Sequence, residues 1–295
     1  MYQSIQNQIN SNVAKTYIII GIFIALISGV GYLVGQITGL GINSLYLSLG
    51  ISLFMTFFSY FAGDKMVLAM HGAKEAKRSE FPEYFDLTHN LATRAGIPMP
   101  KLYIITSPGL NAFATGKSPE SGIMCATTGI LNKLDRDELG GVIAHELGHI
   151  KNYDIRLMTI TSLLVGVLGA IINYFQFSSM FGGRSRENED RNPIFGILGL
   201  FMIIFAPIIG TLLQLAISRS REFLADATSA HLTKNPRALI GALKKISVSP
   251  EEFKQASTAT ASMYISNPFK NQKVSSFFST HPPIADRIKA LEAMA

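Results

Sequence analysis

The chain has 295 residues, of which 48% are apolar and only 16% charged, against about 25% charged in an ordinary soluble domain. The deficit lies in three stretches without Asp, Glu, Lys or Arg, residues 16–63, 157–183 and 192–218, which excludes a purely soluble protein. The net charge of +6 lacks a Lys/Arg cluster interleaved with aromatics, so no nucleic-acid partner is expected, and the single cysteine, Cys125, excludes an internal disulfide.

Residues 16–63 are long enough for two membrane crossings of about 20 residues each. The glycine-rich run from Gly35 to Gly41 predicts a turn between spans at 17–34 and 42–61. No small-residue cleavage site follows the first span, so it reads as a retained anchor. In the polar region that follows, residues 101–106, 111–115 and 123–128 predict a small sheet. A helix is then predicted from Asp135, where Asp135 and Glu138 form a capping box and Leu139, Val142, Ile143 and Leu147 an apolar face.

Residues 157–183 and 192–218 predict one span each, joined by an arginine-bearing polar loop over 182–192. The second opens on Asn192-Pro193, carries Pro207 as a kink, and is expected to run unbroken into the helix around Glu222. A buried helical hairpin that only dips into the bilayer is the alternative for this pair. The expected architecture is a mainly α, polytopic membrane protein with four hydrophobic helices and a cytoplasmic α+β domain. Its units are an N-terminal hairpin (1–63), a first polar part (64–156), a second hairpin (157–218) and a second polar part (219–295). Positive charge gathers at Lys15, Lys65, Lys74, Lys77, Arg78, Lys151, Arg156, Arg219 and Arg221, against Arg184, Arg186 and Arg191 on the other side. Both polar parts are therefore expected in the cytoplasm.

His145-Glu146-Leu147-Gly148-His149 carries the chemistry. Histidines four apart share a helix face and can hold one metal ion, while Glu146, rotated by about 100°, can serve a water beside it. Catalytic zinc needs a third protein ligand, for which Glu222 is the candidate. Asp226, one turn later, is placed to orient a liganding histidine. Two crossings separate the histidines from Glu222, which leaves all three on one side of the membrane. Near the C-terminus, His281 precedes Pro282-Pro283, a predicted helix start. It is a candidate donor to a developing oxyanion, with Arg287 along the same helix.

Together with Asn111-Ala112-Phe113-Ala114, the Glu222–Asp226 segment and Ser279-Thr280-His281-Pro282-Pro283, these motifs resemble the HtpX family of bacterial integral-membrane zinc metalloproteases, relatives of the CAAX prenyl endoproteases. The resemblance spans nearly the whole chain. It implies a zincin-like metalloprotease fold for the cytoplasmic α+β domain, with His145, His149 and Glu222 as ligands of one zinc ion and Glu146 as general base. It also implies cleavage of misfolded or damaged membrane proteins, in envelope quality control at the bacterial inner membrane. By the same analogy, an edge strand near the metal holds the substrate backbone, and residues 111–115 are the candidate, with Asn111 and Phe113 as contacts. Two rivals stay open: a specific processing protease of the CAAX type, and a non-catalytic membrane chaperone or scaffold that keeps a zinc ion.

Overall fold

The structure, a computed structural model, describes residues 2–181, 210, 219–251, 253, 257, 259–266 and 281–295. The polar loop 182–192 and all of the predicted span 192–218 but Gly210 lie outside the described residues, as do Ser279 and Thr280.

Two long helices open the chain, α1 (Tyr2–Thr38) and α2 (Asn43–Met70). Both run well beyond the expected spans, because nothing in the polar flanks interrupts the helix. Their turn falls where the glycines predict it, with Gly39 and Gly41 in the left-handed region. The hairpin packs through small residues. A Cβ on Gly35 would lie 1.6 Å from Ser44 Oγ, and one on Gly31 would lie 2.2 Å from Ser48 Cβ. This close approach is how helices associate where lipid removes the hydrophobic drive. Accordingly α2 is polar inside and apolar outside: Ser44, Ser48, Ser52 and Ser59 are buried, whereas Phe54 is 67% exposed and Phe57 62%.

The polar region contributes β1 (Lys74–Glu75), α3 (Pro82–Ala95), β2 (Lys101–Ile105), β3 (Ala112–Thr115), β4 (Ile123–Thr127) and α4 (Thr128–Lys133). The three expected strands are present, and β1 is added; two exposed charged residues gave no apolar alternation to betray it. The sheet order is β1-β2-β4-β3, with β2 and β4 parallel and the two outer strands antiparallel to their neighbours. So β3 lies at an edge. It is partly covered there: Phe113 bridges to Tyr264, and the Ile265 amide donates to the Ala112 carbonyl at 3.0 Å.

Helix α5 (Arg136–Lys151) follows, opened by the capping box. Asp135 accepts from the Glu138 amide at 2.9 Å, and Glu138 accepts from the Asp135 amide at 3.0 Å. Thirteen of its residues, Glu138 to Ile150, are buried, so it is the core helix of the polar part. Only Asn152 and Tyr153 separate it from α6 (Asp154–Phe181). Tyr153 takes a left-handed φ of 60°, which turns the chain sharply and swings Asp154 back against the end of α5. Helices α7 (Arg219–Thr233), α8 (Pro236–Val248) and α9 (Ile284–Glu292) complete the described α-helices. The last begins at Pro282-Pro283, as the prolines predict.

Among the described residues, three helices are long and apolar enough to cross a membrane: Ile9–Gln36, Asn43–Met70 and Asp154–Asn173. Ile19 and Phe23 of α1 pack on Leu157, Ile160, Leu164 and Leu168 of α6, making an apolar bundle apart from the core built on α5.

Candidate metal centre

The two histidines of α5 project one turn apart toward α7, which brings Glu222. Gly148 lets α7 come this close: a Cβ there would lie 3.3 Å from Ala225 Cα and from Thr228 Cβ. His145 Nε2 and His149 Nε2 are 3.2 Å apart, and they stand 3.7 and 3.5 Å from the two carboxylate oxygens of Glu222. Ligand atoms about 2.0–2.1 Å from one tetrahedral ion lie roughly 3.3 Å from each other. The spacing therefore fits a single ion such as zinc. All three residues are at least 97% buried.

The surroundings fix the imidazoles in the form a metal requires. His145 Nδ1 is 2.9 Å from Asp226 Oδ1, and His149 Nδ1 is 2.9 Å from Asp154 Oδ2. A carboxylate can only accept, so each Nδ1 carries a proton, which leaves Nε2 as the atom that can turn a lone pair to a metal. Two lone pairs facing at 3.2 Å repel unless a cation or proton lies between them. Asp226 is itself gripped at both oxygens by Arg287, at 2.7 and 2.9 Å, while Arg287 Nη1 donates to the Ile265 carbonyl at 2.6 Å. This guanidinium is fully buried and also lies 3.7 Å from Glu222.

Charge states follow. Burial works against a carboxylate at Glu222, but His281, His149 and Arg287 outweigh it and hold the group well below the usual range. Burial likewise disfavours a charged His149, yet Asp154, Glu222 and Glu146 push its imidazole up to about 9 when only protein surrounds it. Glu146 is 1% exposed, and neither of its oxygens finds a hydrogen-bond partner among the described residues. Burial raises it to about 7, against the opposing charge of His149. A buried carboxylate titrating near neutrality is suited to take a proton and give it up again.

The other candidates fall around this centre. His281 Nδ1 stands 3.3 Å from Glu222 Oε2, and its Nε2 donates to the Ala261 carbonyl at 3.1 Å. Asn111 is buried at the start of β3, with its Oδ1 accepting from the Ala112 amide. The ring of Phe113 is in the core, 5.0 Å from His71 and 5.7 Å from Tyr264, so contact with an extended peptide at this position would run through its backbone. Tyr264 is in turn 2.6 Å from His71 Nε2. Sequence reasoning passed over Asp154, Arg221 and Asn12 as parts of the site. Asp154 carried one usable signal, an acid five residues after His149 where the chain must turn.

The sequence profile described as peptidase family M48 matches residues 79–295. The chain belongs to that family. A protease HtpX homolog of Dictyoglomus thermophilum is 43% identical over 286 residues, covering 97% of this chain and 93% of the relative. Protease HtpX homologs of Streptococcus uberis and Pyrococcus furiosus are 41% and 42% identical, covering 97% and 95% of this chain and 99% and 95% of theirs. A crystal structure of S. mikatae Ste24p is similar in fold, with a TM-score of 0.51 at 22% identity, over 94% of this chain and 65% of that one. The chain thus spans about two thirds of the length of that solved protein. As an M48 peptidase with apolar helices of spanning length, it is a membrane metallopeptidase, and the His145–His149–Glu222 cluster is its candidate metal site.

Proposed function

We propose that this protein is a zinc-dependent endopeptidase that cleaves misfolded or damaged membrane proteins at the cytoplasmic face of the bacterial inner membrane, in quality control of the envelope. The observation that carries the chemistry is the pair of Nε2 lone pairs aimed, with Glu222, at one point beside a buried carboxylate that lacks a hydrogen-bond partner among the described residues. His145, His149 and Glu222 would hold the ion. Zinc, when bound, supplies Lewis acidity and lowers the pKa of water toward 7.

The remaining steps belong to the chain's own residues. Glu146 takes a proton from the attacking water and passes it to the leaving amine, a transfer its near-neutral pKa favours. Asp226 and Asp154 keep both imidazoles turned toward the metal, and Arg287 keeps Asp226 in place. The substrate lies extended along β3, with its backbone paired to the strand edge; for this Tyr264 and Ile265 must give way at Phe113 and Ala112. His281 supports the oxyanion. The short link from α5 to a helix of spanning length favours substrates at or in the membrane over soluble chains.

The test is degradation of an unfolded membrane protein by the detergent-purified chain with zinc, beside Glu146→Gln. Cleavage by the parent and none by the variant is the expected result. Equal cleavage by both would overturn the role of Glu146. Zinc binding without cleavage of any substrate, in detergent or in lipid vesicles, would favour a zinc-holding scaffold.

A further inference from the structure

Asn12 lies on α1, within the apolar stretch Ile9–Gln36, yet it is completely buried against the polar part of the protein. Its Nδ2 donates to Asp154 Oδ1 at 2.5 Å and to the Asn152 carbonyl at 3.1 Å, and its Oδ1 accepts from Arg221 Nη1 at 3.2 Å. The network leaves no choice of amide orientation, because a carboxylate only accepts and a guanidinium only donates. An amide is costly to bury without partners, and here both N–H donors and one of the two oxygen lone pairs are used.

Each partner belongs to a different arm of the metal centre. Asp154 opens α6, and its second oxygen receives the Nδ1 proton of His149. Asn152 is the C-cap of α5, the helix that carries both histidines. Arg221 immediately precedes Glu222 on α7 and is 99% buried. Its Nε is 3.8 Å from Asp154 Oδ1, the oxygen that Asn12 holds. A buried guanidinium that closed fully on Asp154 would compete with His149 for the carboxylate. Asn12 stands between them and fixes both.

We infer that Asn12 is a positioning residue for the metal centre, acting through Asp154 on His149 and through Arg221 on the helix that supplies Glu222. The first membrane helix is then a working part of the metal site and not an anchor alone. This inference rests on the reading of His145, His149 and Glu222 as metal ligands. A purely structural staple would weaken the metal-free and metal-loaded protein alike and leave zinc affinity unchanged. A positioning residue lowers the affinity itself.

The experiment measures zinc affinity of the full-length chain in detergent by competition with a chromophoric chelator. Asn12→Leu, close in size but unable to hydrogen-bond, is expected to weaken zinc binding about 10- to 100-fold, the range for residues that orient metal ligands. In an Asp154→Asn background the same change should cost much less, because its main route of action is already gone. Asn10→Leu, on the exposed side of the same helix, should leave affinity unchanged. Should Asn12→Leu not fold, Asn12→Ser, too short to reach Asp154, carries the same expectation. Affinity within threefold of the parent, or a full additive loss on top of Asp154→Asn, overturns the role of Asn12. A parent that holds no zinc, or a His149→Ala variant that binds as tightly as the parent, overturns the underlying metal reading instead, and neither result involves Asn12.

Discussion

His145 and His149 face each other through their Nε2 atoms at 3.2 Å, while a different carboxylate, Asp226 or Asp154, receives each Nδ1. In the metal-free protein the raised pKa of His149 keeps a proton between the two rings, and a bound cation takes that proton's place and adds Glu222 as a partner. Zinc should therefore raise the melting temperature, and a chelator should lower it. A ligand present at 1,000 times its Kd stabilises the folded state by about 4 kcal/mol. In His145→Ala the gap between zinc-loaded and chelated melting should close. A gap that persists in this variant would place the stabilising ion elsewhere.

Glu146 ties the site to pH. Its folded-state pKa is raised to about 7 from 4.5, so the native state binds more protons than the unfolded state between those values, and stability falls as pH rises through that window. Over 2.5 pH units this amounts to about 3 kcal/mol at most. Glu146→Gln removes the term. The chelated variant should be more stable than the chelated parent above pH 7, and the difference should fade toward pH 4.5. Denaturant melts across that range check the sign; a constant difference would show that burial does not perturb this carboxyl.

Arg287 and Asp226 form a fully buried ion pair with two hydrogen bonds. Arg287→Met leaves Asp226 charged and half-satisfied, and breaking such a pair costs roughly 3–5 kcal/mol. Asp226→Asn keeps the shape but removes the charge opposite Arg287 and weakens the hold on His145, so zinc affinity should fall about 10- to 100-fold. Thermal melts and chelator competition together separate the two effects.

Gly148→Val tests the approach of α7 to α5. The added carbons meet Ala225 and Thr228, so the helices must part and Glu222 must retreat from the histidines. Zinc affinity should drop by at least tenfold. Gly35→Val, which clashes in the membrane hairpin with Ser44, should lower the melting temperature with a smaller effect on zinc. Equal effects on zinc would mean that packing faults anywhere loosen the site.

His281→Ala should lower kcat while zinc stays bound. His281 is 3.3 Å from Glu222, but the two histidines and Glu222 already complete a three-ligand set. Loss of zinc together with activity would make His281 a support of Glu222 instead of a group that meets the substrate.

Much of this was legible because each signal was local. The capping box at Asp135 and Glu138, the histidine spacing on α5, the paired prolines before α9 and the charge-free stretches each need only a few neighbouring residues to be read. Asp226 was within reach as well, one turn from Glu222. Asn12 was not: its partners lie 140 and 209 positions away, and a lone amide beside a span looks like any polar flank. The cover on β3 was hidden for the same reason, since no pattern in residues 264–265 announces a pairing with 112–113. The strand β1 is too short for alternation to show at all.

The two-residue link at Asn152 and Tyr153 has a consequence for how the enzyme meets its substrates. With the last histidine only five positions from the start of a helix of spanning length, and Tyr153 locking the bend, the centre has no tether along which to swing away from the bilayer. It goes where the lipid goes. For the membrane-protein substrates proposed above, encounters would become collisions in a plane, governed by lateral diffusion and by the number of substrate molecules per unit area of membrane. Diluting enzyme and substrate into more lipid at a fixed bulk concentration should then slow cleavage, whereas diluting the vesicles with buffer should not.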